Sequence, residues 1–227
     1  MATPAALTVR RNFARPSPDL VARLAGAPTG WVVDANGRTG ALDYRIRALT
    51  HAVRFCGVAL TVHSRGRDNL APYAAIEYAR AGDVIVVATG DYQGASVAGD
   101  VMVGMMKTKG VTALVTDGLV RDIDGLNAVG IPVCARGLSP NSPYKDGPGT
   151  IGQPITVGGV VVASGDVIIG DQDGIVVVAR EALETVLGAL VEVAEKEEKM
   201  DRMVASGALL PPGLAEIITQ KGIRHLD

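Results

Sequence analysis

The sequence predicts a single α/β domain, and three observations carry that reading. Aromatic residues make up only 4% of a chain that is 48% hydrophobic, so the core must be assembled from small branched side chains, the composition of sheets buried beneath helices. Through the centre of the chain, short apolar β-branched runs alternate with segments of helical spacing. Glycine turns such as Ala81-Gly82 and Asp117-Gly118 punctuate the runs, and 227 residues suffice to bury one large core.

Residues 1–16 read as an N-terminal arm of mixed character closed by Pro16, ahead of a domain at 17–210. Ser17-Pro18-Asp19 opens a short helix to about Ala25, with Ser17 as cap and Pro18 in the first turn, where its missing N–H is no loss. Gly57 to Val62 is a strand, Leu70, Ala74, Ile76 and Ala81 place a helix over 69–81, and the run AGDVIVVA at 81–88 is a turn feeding a buried strand. A helix from about Asp100 to Lys109 carries Val101, Met105 and Met106, followed by a strand at 111–115, a short helix at 122–128 and a strand at 131–135. Ser139 to Gly149, rich in Pro, Gly, Ser and Asn, reads as a long mobile loop.

Strands follow at 155–157, 160–163, 166–170 and 174–178, divided by Gly-rich turns. GDVI occurs at 82–85 and again at 165–168, which reads as one turn-to-strand solution used twice and not as an internal repeat. Residues 180–206 form one long helix whose apolar stripe, Leu183, Leu187, Leu190 and Ala194, runs into Glu197 before Met200 and Val204 resume it. A carboxylate interrupting such a stripe needs a partner, although a solvated EKEEK run is the plainer alternative. Past Pro211-Pro212, residues 211–227 read as a tail with a final short helix.

The totals exclude several function classes. With 22 basic and 24 acidic residues and a formal charge of −2, no basic footprint for nucleic acid exists. No stretch of about 18 apolar residues suggests a membrane span, and the N-terminus lacks the apolar core of a signal peptide, so a cytoplasmic protein is expected. Cys56 and Cys134 lack CxxC spacing and read as buried free thiols, while His51, His63 and His225 form no metal spacing.

One stretch, GDVMVGMMKTKGVTALVTDGLVRDIDGL at 99–126, does suggest chemistry. It places Asp100 at the start of a helix, whose free N–H groups favour an anion, and Arg121-Asp122 after the next strand, the edge where α/β proteins bind ligands. A hard cation such as Mg²⁺ keeps most of its waters and needs few protein oxygens, an economy that Asp122 and Asp100 match. Arg121 offers a permanent charge in a planar fork, suited to a 2-oxo-carboxylate. Helix capping by Asp100 and Asp122, and a structural ion pair at Arg121, remain alternatives on spacing alone.

An Asp followed after twenty residues by Arg-Asp resembles the signature of the metal-dependent 4-hydroxy-4-methyl-2-oxoglutarate / 4-carboxy-4-hydroxy-2-oxoadipate aldolases, which share a fold with the regulator of ribonuclease activity A (RraA) proteins. DANGRTGALDYRIRAL at 34–49, DN at 68–69, AIEYARAGDVIVV at 75–87, TDGLVRD at 116–122, GIPVCARG at 130–137 and SGDVIIGDQDGIVVV at 164–178 are similar to family segments in the family's order. The resemblance spans roughly residues 20–207 and implies a single-domain αββα sandwich, phosphohistidine-domain-like, assembled as a homotrimer or a homohexamer of paired trimers.

It further implies that Asp122 ligates Mg²⁺ or Mn²⁺ directly, that Asp100 holds a water on the metal, and that Arg121 contacts the pyruvyl part of the substrate. The backbone N–H groups of Val101 and Met102 would bind the substrate carboxylate, Asn69 would face its distal part, and Glu197, or Glu198, would reach the metal's waters from a neighbouring subunit. The implied activity is retro-aldol cleavage of 4-hydroxy-2-oxo acids to pyruvate, with oxaloacetate decarboxylation through the same enolate. The C-terminal ALLPPGLAEIITQKGIRHLD departs from the best-known aldolase ending. Three rivals stand beside this reading: a Schiff-base aldolase using Lys107 or Lys109, a non-catalytic inhibitor of an RNA-degrading ribonuclease, and a quinone methyltransferase, which has no supporting nucleotide motif.

Overall fold

The computed structural model describes residues 5–226, so residues 1–4 of the N-terminal arm and Asp227 of the tail lie outside it. The described part of the arm holds strand β1 (Leu7–Val9). Helix α1 (Pro18–Leu24) begins as expected, with the Ser17 hydroxyl accepting from the Leu20 N–H and Pro18 in the first turn. Helix α2 (Thr29–Ala35), which the sequence reading does not single out, precedes the short strand β2 (Arg47–Ala48) and the long strand β3 (Phe55–Ser64).

The central run then alternates as predicted through α3 (Leu70–Tyr78), β4 (Asp83–Ala88), α4 (Asp100–Thr108), β6 (Ala113–Thr116), α5 (Ile123–Val129) and β8 (Val133–Ala135), with three short strands that the sequence does not announce, β5 (Ser96–Ala98), β7 (Leu119–Val120) and β9 (Gly137–Leu138). Helix α3 stops three residues before the expected Ala81, because Arg80 and Asp83 form a turn in which the Asp83 carboxylate accepts the Arg80 N–H. The second GDVI copy builds the same turn, with the Asp166 carboxylate accepting the Ala163 N–H, before β13 (Val167–Gly170). Both copies are one local solution, as the sequence suggests. Strands β10 (Gly149–Ile151), β11 (Ile155–Val157) and β12 (Val160–Val162) precede β13, and β14 (Ile175–Val178), α6 (Leu183–Ala205) and α7 (Leu214–Lys221) follow it.

Strands β3, β4, β6 and β8 pair in parallel, which requires the intervening helices as crossovers. Side-chain alternation along them builds two separate cores. Ile85, Val87 and Leu114 face α3, α4 and α5, while Val84, Val86, Ala113 and Val115 face inward toward β11–β14. The hairpin β13–β14 joins through β13 to the first half of β3, whereas β10 pairs with its last three residues. Strand β3 therefore carries the sheet round into a second layer. Ile168, Ile175 and Val177 of that layer point inward, and Val167, Ile169, Val176 and Val178 point outward onto α1, α2 and α6. The order helix, sheet, sheet, helix results, an αββα single domain of mixed α/β type.

The segment at 139–149 is a loop, as expected, and it is hydrogen-bonded to its surroundings at several points. Both the N–H and the hydroxyl of Ser96 donate to the Asn141 carbonyl, the Asn141 amide donates to the Gly94 carbonyl, and the Tyr144 N–H donates to the Arg67 carbonyl. No helix among the described residues is long and apolar enough to cross a membrane.

Candidate active site

Three very short strands, β5, β7 and β9, pair in parallel as a small separate sheet. Parallel pairing makes all three end on one side, so the segments leaving them, Gly99-Asp100, Arg121-Asp122 and Ser139 onward, emerge together. A cavity of about 110 Å³ opens there and is lined by Asn69, Asp100, Val101, Met102, Arg121 and Asp122. Residues separated by more than fifty positions share one cleft. Tyr73, Ser142 and Lys145, to which the sequence reading assigns no role, complete its walls.

Asp122, between β7 and α5, has φ 62° and ψ 49°, in the left-handed region that Asp and Asn tolerate better than other side chains. Its carbonyl accepts the Leu126 N–H and so starts α5, but its side chain makes no capping hydrogen bond. Capping thus fails to account for this carboxylate. Instead one oxygen, Oδ2, accepts from Arg121 Nε at 3.1 Å, while Arg121 Nη1 donates to Ser142 Oγ at 2.7 Å. The Arg121–Asp122 pair is more than a third exposed on both sides, so solvent screening leaves it little value for stability. Together with Ser142 it fixes the guanidinium at the cavity wall.

Asp100 is the first residue of α4, with Gly99 at the capping position. Its Oδ1 accepts the Val101 N–H at 2.7 Å, so a substrate carboxylate seeking that amide must displace this contact. Two glycines make room for the acids. A Cβ at Gly99 would lie 2.5 Å from Asp122 Oδ2, and one at Gly125 would overlap the Asp100 carboxylate. Asn69 is 6% exposed, and its Oδ1 has no hydrogen-bond partner. A buried acceptor at a cavity wall is placed to receive a donor from water or from a ligand.

Among the described residues no group of three or more His, Cys, Asp or Glu side chains is arranged to hold a metal. The carboxylates of one chain that line the cavity are those of Asp100 and Asp122. Glu197 does not line the cavity of its own chain. It lies half-buried along the stripe of α6, whereas Glu198 is exposed and sits 3.6 Å from Arg202. Lys107 donates to the Val129 carbonyl, Lys109 caps the end of α4, and neither reaches the cavity. Burial pushes the Cys56 and Cys134 thiols up to about 12, which makes both poor nucleophiles at neutral pH.

Comparison with known proteins agrees with this architecture. The family model for RraA-like proteins, described as Aldolase/RraA, matches residues 29–177. A Halalkalibacterium halodurans protein provisionally named 4-hydroxy-4-methyl-2-oxoglutarate aldolase is 35% identical over 192 residues, covering 84% of this chain and 91% of that protein. Among solved structures, the RNA-processing inhibitor RraA from Thermus thermophilis superposes with a TM-score of 0.63 at 28% identity, over 67% of this chain and 92% of that one. Streptomyces coelicolor RraAS2, described as an unusual member of the RNase ES inhibitor RraA protein family, superposes with a TM-score of 0.75 at 25% identity, over 85% and 100%. The chain belongs to the RraA-like family.

Proposed function

We propose that this protein is a divalent-metal-dependent aldolase that cleaves 4-hydroxy-2-oxo acids, such as 4-hydroxy-4-methyl-2-oxoglutarate and 4-carboxy-4-hydroxy-2-oxoadipate, to pyruvate and a second oxo acid, and that it decarboxylates oxaloacetate. The observation that carries the proposal is the convergence of Arg121, Asp122 and Asp100 on one cavity at the N-terminus of α4. The name of the Halalkalibacterium relative points the same way. Asp122 would hold Mg²⁺ or Mn²⁺ directly, with Asp100 acting through water and Glu197 reaching the same waters from a neighbouring subunit of a trimer or hexamer. When bound, the metal supplies Lewis-acid polarisation of the 2-oxo group.

The chain's own groups divide the remaining work. The Met102 and Val101 N–H groups at the start of α4 receive the 2-oxo acid's carboxylate, aided by the helix dipole. Arg121, oriented by Ser142 and Asp122, stabilises the negative oxygen as the C3–C4 bonding pair passes to the pyruvyl half and the 4-hydroxyl proton passes to a water beside Asp100. Asp100 positions the water that returns a proton to C3. Asn69 Oδ1 accepts from the distal part of the substrate, and the Lys145 ammonium faces a distal carboxylate. A reducing cytoplasm suits the two free thiols.

A lactate-dehydrogenase-coupled assay over a panel of 4-hydroxy-2-oxo acids and oxaloacetate, with Mg²⁺, Mn²⁺ or EDTA, tests the reading. Metal-dependent pyruvate release is expected; borohydride trapping of substrate on Lys145, Lys107 or Lys109 with EDTA-resistant turnover would replace it with Schiff-base chemistry. The likeness to two proteins described as RNA-processing or RNase inhibitors keeps a second reading in view, a protein that binds and inhibits a ribonuclease. Inhibition of a ribonuclease without pyruvate release on any substrate would favour it.

A further inference from the structure

We propose that Asp68 is a positioning residue for the distal end of the cavity, clamping the loop that presents Lys145; the inference rests on the aldolase reading above. Asp68 is only 3% exposed, yet its carboxylate is held by backbone amides. Oδ1 accepts the Leu70 N–H at 2.9 Å, at the start of α3, and Oδ2 accepts the N–H groups of Asp146 at 2.6 Å and Gly147 at 3.0 Å. One buried carboxylate thus joins the helix that carries Asn69 and Tyr73 to the loop that carries Ser142 and Lys145.

The backbone repeats the tie. The Asn69 N–H donates to the Tyr144 carbonyl, the Tyr144 N–H donates to the Arg67 carbonyl, and the Ser64 hydroxyl donates to the Asp68 carbonyl. Lys145 therefore sits between two anchored neighbours, Tyr144 and Asp146. Its ammonium lies 5.6 Å from the Tyr73 ring centroid, at the cavity wall, and the Asp68 oxygens are engaged with amides instead of with this cation. A lysine left free to meet a ligand anion, on a loop that is not free to wander, is the arrangement that specificity for a second carboxylate requires. Hydrogen bonds between a carboxylate and backbone amides are among the stronger tethers available to a loop.

The test compares Asp68→Ala, Asp68→Asn, Lys145→Ala and the Asp68→Ala/Lys145→Ala double variant with the unaltered protein. Two substrates serve, a dicarboxylic 4-hydroxy-2-oxo acid and one without the second carboxylate. Expected is a KM increase of roughly 10- to 100-fold for the dicarboxylic acid alone, with kcat nearly unchanged, in Asp68→Ala. In the Lys145→Ala background the same change should add nothing, because Asp68 acts through Lys145. Asp68→Asn keeps the shape and one acceptor oxygen, so it should fall between, and it serves if the alanine variant does not fold. Hydrogen exchange at Asp146 and Gly147, read without any turnover, should speed up in both variants. Equal KM changes for the two substrates, additive losses in the double variant, or unchanged exchange would each overturn the clamp. Absence of pyruvate release from the unaltered protein would instead remove the aldolase reading, and the exchange arm would still decide whether Asp68 holds the loop.

Discussion

Gly125 faces Asp100 across the gap between α5 and α4 so closely that a Cβ at Gly125 would lie 2.7 Å from the Asp100 Cβ and overlap its carboxylate. Gly125 is inside a helix, where alanine is favoured over glycine by about 1 kcal/mol. That gain does not offset so close a Cβ–Cβ approach, so Gly125→Ala should lower thermal stability, and turnover should fall roughly 10- to 100-fold because Asp100 must move. A melting curve beside a pyruvate-release assay separates the two effects, and an active variant would show that the position of Asp100 is immaterial.

Asp122→Asn keeps a residue that accepts the left-handed conformation and removes the charge. Folding should be preserved while turnover drops about 10²- to 10³-fold, the usual consequence of losing one electrostatic stabiliser. Arg121→Lys should do similar damage despite its conserved charge, since lysine cannot engage Ser142 and Asp122 with one planar fork. Calorimetric titration with Mg²⁺ should show weakened binding in Asp122→Asn and near-normal binding in Arg121→Lys.

Glu197 lies outside the cavity of its own chain, so its proposed role requires a neighbouring subunit. Mixing unfolded Glu197→Gln with unfolded Asp122→Asn and refolding them together should restore activity to up to roughly a quarter of the sites, those in which both intact acids meet. Each variant refolded alone should stay impaired. No recovery in mixed assemblies would place the third acid elsewhere.

Asp171 ties α2 to the loop between β13 and β14. Burial pushes its carboxyl upward, but the Thr29 backbone N–H at 2.9 Å, the Thr29 hydroxyl at 2.7 Å and the amides of Asp173 and Gly174 outweigh that and hold it below its ordinary value of 3.8. A depressed carboxylate adds stability that is complete above the ordinary value and disappears as pH falls through the folded-state value. Thr29→Val should consequently destabilise the protein at pH 7, by about 1–3 kcal/mol, and should flatten the fall in stability below about pH 4. Urea unfolding at a series of pH values reads both.

Much of the fold was legible because it is written in local patterns. β-Branched runs marked β4, β6 and β14, Ser17-Pro18 marked the start of α1, and the recurring GDVI marked two equivalent turns. The strands β5, β7 and β9 escaped notice for a physical reason: each has two or three residues, too few to display a period. The composition of 139–149 marks a loop, but it does not name the partners, Asp68, Arg67, Gly94 and Ser96, to which that loop is hydrogen-bonded.

The sequence by itself determined the α/β class, the alternation of strands and helices, and the cluster of Asp100, Arg121 and Asp122 as the place to look, since each is encoded within a few neighbouring residues. Only the tertiary structure decided that Tyr73, Ser142 and Lys145 join that cluster beside Asn69, and that Glu197 does not join it within one chain. Their meeting depends on parallel strands ending on a common edge and on a sheet folded over by β3, and contacts of such long range leave no trace in local spacing.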